Sequence, residues 1–326
     1  MTNPFYDPYR VLTKVYGAGA HLKLALADTP IEELHRARTV RTVYGVLEHD
    51  RYLTACTATI AQKSPKGAVR IVLKIALYWL IFLEKPRYMV TDTAVTLLKK
   101  LGKGGAAGFV NAALRTFEQN KVIIPAGDEG LALTTPYPLF AIERIRRDWG
   151  ARTEAIVRAK SCGVTVRFVR GAEKYLDRAH IATPFENVYI FERFARDENF
   201  LVGDYTFQSV GSIAICGVVE PCENMFDACA APGGKSVLLA GKCVHVTASE
   251  LHAHRVSLIE SYAARMGTGN VTAVQADSTL FRPEWENAFD GVLCDVACSG
   301  FGTGTENPDL PLGKTAESVK GVTPTQ

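Results

Sequence analysis

Apolar residues recur at helical spacing throughout the first 125 residues. "IEELHRARTVRTVYGVLEH" (31–49) and "KGAVRIVLKIALYWLIFLE" (66–84) each carry the i, i+3, i+4 pattern of a buried helix face. "TDTAVTLL" (91–98) offers Asp92 or Thr93 as an N-cap before apolar residues, "KKLGKGGAAGF" (99–109) reads as a glycine-rich turn, and "VNAALRTF" (110–117) resumes a helix. Nothing in this stretch alternates as a strand does, so the pattern predicts a helical bundle over 1–125. Between 126 and 200 the pattern is mixed. "PYPLFAIERIRRDWG" (136–150) and "RTEAIVRAK" (152–160) read as helices, and "VTVRFV" (164–169) alternates with β-branched residues as a strand. From 201 on, strand and helix patterns take turns. "MFDACA" (225–230), "VHVTASE" (244–250), "VTAVQAD" (271–277) and "FDGVLCDV" (289–296) read as strands. Gly234–Leu239 and "HRVSLIESYAARMG" (254–267) read as helices. Such alternation predicts a parallel sheet covered by helices, with ligands at the carboxyl ends of its strands.

The chain has 326 residues, more than one small core can organise, and the three patterns divide it at about 125 and 200. Its longest apolar run, Ile75–Leu83, is far short of the ~20 residues that a membrane-spanning helix needs. The first ten residues, "MTNPFYDPYR", do not form a signal peptide, and the expected location is cytoplasmic, with no membrane partner. Eight cysteines occur without a CxxC pair, so neither a metal site nor a disulfide framework is expected. The charge is uneven. Residues 1–125 hold 18 Lys/Arg against 9 Asp/Glu, and residues 201–326 hold 7 against 14. A basic front beside an acidic back points to a polyanion partner for the front; the plainer reading is a solvated basic surface.

The loop "FDACAAPGGKS" (226–236) carries the chemistry. Its "GKS" tail fits a phosphate-binding loop, but Cys229 stands where the first glycine of that motif belongs, and Pro232 interrupts the loop. No G-x-G-x-x-G fingerprint occurs there. The other candidate is S-adenosylmethionine, which carries adenosine without phosphate. Its requirements are a close backbone approach after the first strand, an acid for the ribose after the second, and a polar group for adenine after the third. Glu250 and Asp277 stand at those second and third strand ends. Each acid alone reads equally well as a helix N-cap.

"DACAAPGGKS" followed by "DVACSGFGTGTENPD" (295–309) resembles the Sun/Fmu (RsmB-type) family of RNA cytosine-5 methyltransferases. "PRYMVTDTAVTLLKKLGKGGAAGFVNAALR" (86–115) resembles the NusB-like domain fused to the bacterial ribosomal member. "FLVGDYTFQSVGS" (200–212) resembles the entry into its catalytic domain. The resemblance implies a multidomain chain: an all-α NusB-like RNA-binding domain (1–125), a small α/β linker subdomain (126–200), and an α/β Rossmann-like class I methyltransferase domain (201–326) with an incomplete sheet. It implies S-adenosylmethionine as cofactor and small-subunit (16S) ribosomal RNA as substrate. Cofactor contacts would come from Cys229, Ala230, Ala231, Pro232, Gly233, Gly234, Lys235, Glu250, Arg255, Asp277 and Asp295; catalysis would rest on Asp295 and Cys298.

The chemistry accounts for those residue types. Cytosine C5 attacks a sulfonium methyl only after a thiolate adds at C6, and an acid near N3 stabilises the charge this creates. The family pattern at the last motif is Asp-x-Pro-Cys, and this chain has Ala297 at the proline. In the family the attacking thiol lies in a later Thr-Cys-Ser/Thr motif, while the cysteine matching Cys298 assists product release. No such motif follows Cys298 within the 326 residues. The expectation is therefore a truncated sequence of an active enzyme, with the fourth strand left as an apolar edge. The alternatives are an RNA-binding module with a degenerate, non-catalytic methyltransferase half, a chain in which Cys298 itself attacks, and an NTPase.

Overall fold

The computed structural model describes residues 3–61 and 63–325. The chain divides into two compact units, residues 1–160 with 299–320, and residues 161–298 with 321–326. The sequence pattern changes at about 125 and 200, while the two compact units meet at 160.

The first unit is helical: α1 (Tyr6–Ala18), α2 (Leu22–Ala27), α3 (Glu33–Glu48), α4 (Asp50–Ile60), α5 (Gly67–Ile81), α6 (Arg87–Lys100), α7 (Ala107–Thr116), α8 (Gly127–Thr134), α9 (Leu139–Trp149) and α10 (Thr153–Arg158). The apolar run singled out in the sequence is the centre of this bundle. In α5 every residue from Ile71 to Trp79 is buried, which is why its pattern is apolar all round rather than one-sided. Phe5 meets the Trp79 ring edge-on at 4.9 Å, and Trp79 Nε1 donates to Thr42 Oγ1 at 3.0 Å. α6 begins at Arg87, with Pro86 before it, so Asp92 and Thr93 lie inside the helix and cap nothing. Thr93 instead donates to the carbonyl of Met89 one turn back. The proline fixes the start because its preceding turn cannot be helical.

Residues 299–320 join this helical unit, although their sequence continues from the methyltransferase-like motif. Phe301 lies against Tyr137 and Phe140, and its carbonyl accepts from Tyr137 Oη at 3.2 Å. Asp309 Oδ2 accepts from Leu22 N at 3.0 Å, at the start of α2, and Leu312 packs on the main helical core.

The second unit holds two sheets. β1 (Val164–Phe168), β2 (His180–Ala182), β3 (Val188–Phe191) and β4 (Tyr205–Phe207) form an antiparallel sheet in the order β2-β3-β1-β4 around Phe168, Phe191 and Tyr205. α11 (Glu198–Leu201) precedes β4, and α12 (Val210–Gly217) follows it. The remaining elements are β5 (Asn224–Asp227), α13 (Gly234–Leu239), β6 (His245–Glu250), α14 (Ala253–Met266), β7 (Val271–Gln275) and β8 (Gly291–Leu293). Their sheet is parallel throughout, in the order β7-β6-β5-β8. Chain order therefore reverses direction between β5 and β8, the topological switch point where open α/β sheets bind ligands. β8 pairs only with β5, and its Val292 is 57% exposed. The two sheets are joined by Arg265 of α14, whose Nη1 donates to the carbonyls of Phe200 (2.9 Å) and Tyr205 (3.3 Å). Among the described residues no helix is long and apolar enough to cross a membrane.

A buried charge pair sits inside the helical core. Lys74 Nζ contacts Asp50 Oδ1 at 2.5 Å, and Tyr16 Oη donates to the same oxygen. Burial lowers the Lys74 pKa, and Asp50 opposes that shift. Removing the carboxylate leaves an uncompensated buried cation. Asp50→Ala is expected to cost about 3 kcal/mol of stability, read as a lowered urea midpoint at unchanged m-value.

Candidate cofactor and catalytic site

The glycine-rich loop leaves β5 at Asp227 and enters α13 at Gly234. Its bonds reach several neighbouring elements as well as closing the turn. Ala228 N donates to Leu293 O of β8 at 3.0 Å, and Ala230 N donates to Ser249 O of β6 at 2.9 Å. Gly233 N closes the turn on Ala230 O at 2.8 Å. Gly234 O accepts from Gln208 Nε2 at 3.0 Å, and Gln208 is held by Arg167 Nε at 2.9 Å. The loop is thus fixed from both neighbouring strands and from the antiparallel sheet. Gly233 has a φ of +104°, and a Cβ there would stand 3.2 Å from the Cα of Ile259 in α14. No side chain fits that position without strain, so the glycine serves both the turn and the close approach of helix to loop.

Two charged contacts connect the strand ends. Arg255, in the first turn of α14, reaches Glu250 Oε2 at 3.3 Å and donates from Nη2 to Ala231 O at 3.3 Å. Glu250 Oε1 also accepts from His252 N at 3.1 Å. The second contact is an ion pair between Lys235 Nζ and Asp295 Oδ2, across the switch point from the start of α13 to the loop after β8. Asp277, two residues beyond β7, accepts from Thr279 N (2.9 Å) and Thr279 Oγ1 (2.7 Å) on Oδ1; its Oδ2 takes neither bond. These bonds hold the Asp277 pKa below the usual carboxylate value.

All of the residues read from the sequence lie at the carboxyl ends of the parallel strands. Ala230 and Gly233 are buried, Cys229, Ala231, Gly234 and Lys235 are half-buried, and Pro232 is exposed. Cys298 is exposed, and among the described residues it makes no hydrogen bond or ion pair. Burial, with the charges of Asp227 and Glu250 nearby, raises the Cys229 pKa, which keeps that sulfur a thiol rather than a nucleophile.

Three residues at the site are not singled out by the sequence pattern, Asp227 first. Asp227 ends β5 at 1% exposure. Ser236 Oγ donates to its Oδ2 at 2.7 Å, while Oδ1 is buried with no hydrogen-bond partner among the described atoms. Burial raises its pKa. The signal was available: Asp227 is the one acid inside the apolar run "MFDACA". Ser249 and Ser278 were missed as well. Their hydroxyls lie 3.0 Å apart, and Ser278 Oγ donates to Ala228 O at 2.8 Å, tying the end of β7 to the loop.

The residues present fit S-adenosylmethionine. The buried carboxylate of Asp227 beside the loop suits a positive group, and it opposes the phosphates of a nucleotide. Glu250 and the free oxygen of Asp277 can accept from hydroxyl and amino groups.

Two consequences can be measured. Gly233→Ala is expected to destabilise the protein by about 1–3 kcal/mol, seen in thermal or urea unfolding. Because the folded pKa of Asp227 is raised, its contribution to stability is complete below the unfolded value and is lost as pH rises through the folded one. The stability of Asp227→Asn relative to the native protein should therefore improve between pH 4 and pH 7. A pH-independent difference contradicts the assignment.

Comparison with known proteins agrees with this architecture. Residues 218–326 match the family model described as 16S rRNA methyltransferase RsmB/F, and residues 11–119 match the NusB family model. The chain is 27% identical over 327 aligned positions to the probable ribosomal RNA small subunit methyltransferase B of Bacillus subtilis, covering 90% of this chain and 72% of the relative. It is 28% identical to the ribosomal RNA small subunit methyltransferase B of Xylella fastidiosa strain 9a5c, covering 95% and 78%. The crystal structure of PH0851 shares the fold at 17% identity, with a TM-score of 0.76 over 98% of this chain and 80% of that one. Over residues 218–326 the chain is similar to the RsmB/F methyltransferases, and over residues 11–119, ahead of them, to the NusB family.

Proposed function

We propose that this protein methylates carbon 5 of a cytosine in small-subunit ribosomal RNA, using S-adenosylmethionine as donor. The observation that carries this reading is a pair of contacts made to the glycine loop. Arg255 joins Glu250, the last residue of β6, to that loop, and Lys235 joins the loop to Asp295 across the switch point. Cofactor-side and substrate-side residues are thereby linked through one turn of chain.

When the cofactor is bound, Glu250 would accept from the ribose hydroxyls and Asp277 from the adenine amino group. The backbone of Cys229–Gly234 would line the methionine portion, with the Asp227 carboxylate as the acid for its positive end. Arg255 positions Glu250 rather than touching the nucleoside. S-adenosylmethionine, when bound, supplies an electrophilic methyl group. On the substrate side, Asp295 would share a proton at N3 of the cytosine while a cysteine thiolate adds to C6, so that C5 gains the electron density to attack; in the family that thiolate comes from a Thr-Cys-Ser/Thr motif, which residues 299–326 do not contain. A base then removes the C5 proton, and the thiolate leaves. Cys298, three residues after Asp295, is an exposed thiol on the same loop and acts in product release. Lys235 holds Asp295 at the loop until substrate enters. A cytosine must leave its stack to reach these groups, which favours single-stranded or partly assembled RNA as substrate.

The cytosine-5 assignment is tested by radiolabelled methyl transfer to undermodified small-subunit RNA, using the protein expressed from its whole reading frame. Incorporation at cytosine C5 is expected, falling at least about a hundredfold in Asp295→Ala, in line with loss of a general acid. RNA binding without transfer by the native protein would favour the alternative, a binding module whose methyltransferase half is inert.

A further inference from the structure

Two thiols meet at the amino ends of the parallel strands, the opposite end of the sheet from the residues described above. Cys222 precedes β5 and Cys243 precedes β6. Cys222 Sγ donates to Cys243 Sγ at 3.3 Å. The backbone accounts for this closeness. The β5–β6 register pairs Asn224 with His245. The ladder runs on backwards, because His245 N donates to Glu223 O at 2.8 Å and Val244 N donates to Cys222 O at 3.0 Å. Two residues before the Asn224–His245 pair, Cys222 therefore stands opposite Cys243. Neighbouring strands lie about 4.8 Å apart, inside the Cα separation of about 4.4–6.8 Å that a disulfide spans. Asn270 Nδ2 donates to Cys243 O at 3.0 Å and holds that side of the pair.

The two sulfurs differ in access. Cys222 is half-buried and can be reached from solvent. Cys243 is 5% exposed and packs with Met225, Leu239 and Val246. One thiol is thus placed to meet a reagent and the other to complete the exchange. We propose that Cys222 and Cys243 form a dithiol site that a small-molecule disulfide converts to an intramolecular disulfide. The Cys222 thiolate attacks one sulfur of the reagent and expels its other half as a thiolate. The Cys243 thiolate then attacks Cys222 Sγ and expels the second half. The cysteines lose two electrons and two protons, and the reagent leaves as two thiols. Burial, with the Cys243 thiol and the charge of Asp290 adding to it, pushes the Cys222 thiol up to about 11. Little thiolate is present at neutral pH, so the exchange is slow; a sulfur of that kind is also a poor leaving group, so the bond is slow to reopen. The bond closes residues 222–243 into a loop that holds β5, the whole glycine turn and α13. It fastens both ends of that segment without changing their register.

The test needs neither cofactor nor RNA, so its outcome is independent of the methylation reading. The whole protein is incubated with glutathione disulfide or with dithiothreitol, its remaining thiols are alkylated, and its peptides are mapped without reduction. A peptide pair joined through Cys222 and Cys243 is expected after glutathione disulfide and absent after dithiothreitol. The melting temperature is expected to rise by about 5 °C or more in the oxidised protein, since the closed loop restricts the unfolded chain. Cys222→Ala is expected to abolish both the link and the rise. Cys243→Ala is expected to stop at the first step, with one glutathione retained on Cys222. Glutathione on the exposed Cys162 and Cys298 with no link between Cys222 and Cys243 overturns the proposal. A link that leaves the melting temperature unchanged or lowers it also overturns it, by showing that the sulfurs bond only at the expense of the strand register.

Discussion

A single arginine ties two loops that are distant in sequence. Arg255 bonds the carboxylate that ends β6 and the carbonyl of Ala231 in the turn after β5. Parallel pairing of β5 with β6 brings those strand ends level, but pairing alone leaves the loops free to splay. The guanidinium is suited to this position because its fork can satisfy a carboxylate and a carbonyl together. With the turn fixed there, α13 starts where Lys235 can reach Asp295 beyond β8. Glu250, the glycine loop and Asp295 are thus each placed by a partner at an adjacent strand end.

The same turn holds the least comfortable group in the domain. Asp227 is buried, with one oxygen bonded to Ser236 and the other unsatisfied. An unpartnered buried carboxylate oxygen is costly to the folded state. Its retention at a ligand loop is understandable if a cationic group completes it on binding. The buried Lys74 of the helical core is a different case, since Asp50 and Tyr16 complete its surroundings within the protein.

The parallel sheet was legible because β5, β6 and α14 each carry a pattern of one period, bounded by turn residues. The order of acids at successive strand ends was legible for the same reason, and Glu250 and Asp277 follow directly from it. What remained hidden depends on tertiary partners. Short strands β2 and β3 have no clear alternation, and only the aromatic cluster around Phe168 selects them. Asp227 looked like an ordinary strand residue, because burial and the lack of a second partner are not sequence properties. Residues 299–320 follow the catalytic motif in sequence, yet Phe301 and Leu312 find their apolar partners among the helices. Asp92 and Thr93 resemble caps, while Pro86 sets the true start of α6 nearly two turns earlier.

The central claim is that the turn of residues 229–235 receives a sulfonium nucleoside and excludes nucleotide phosphates. Isothermal titration of the protein with S-adenosylmethionine, and separately with ATP, tests it most directly. The account predicts saturable heat with S-adenosylmethionine, lost on replacing Arg255 by alanine, and no heat with ATP. Saturation by ATP with none by S-adenosylmethionine would contradict it.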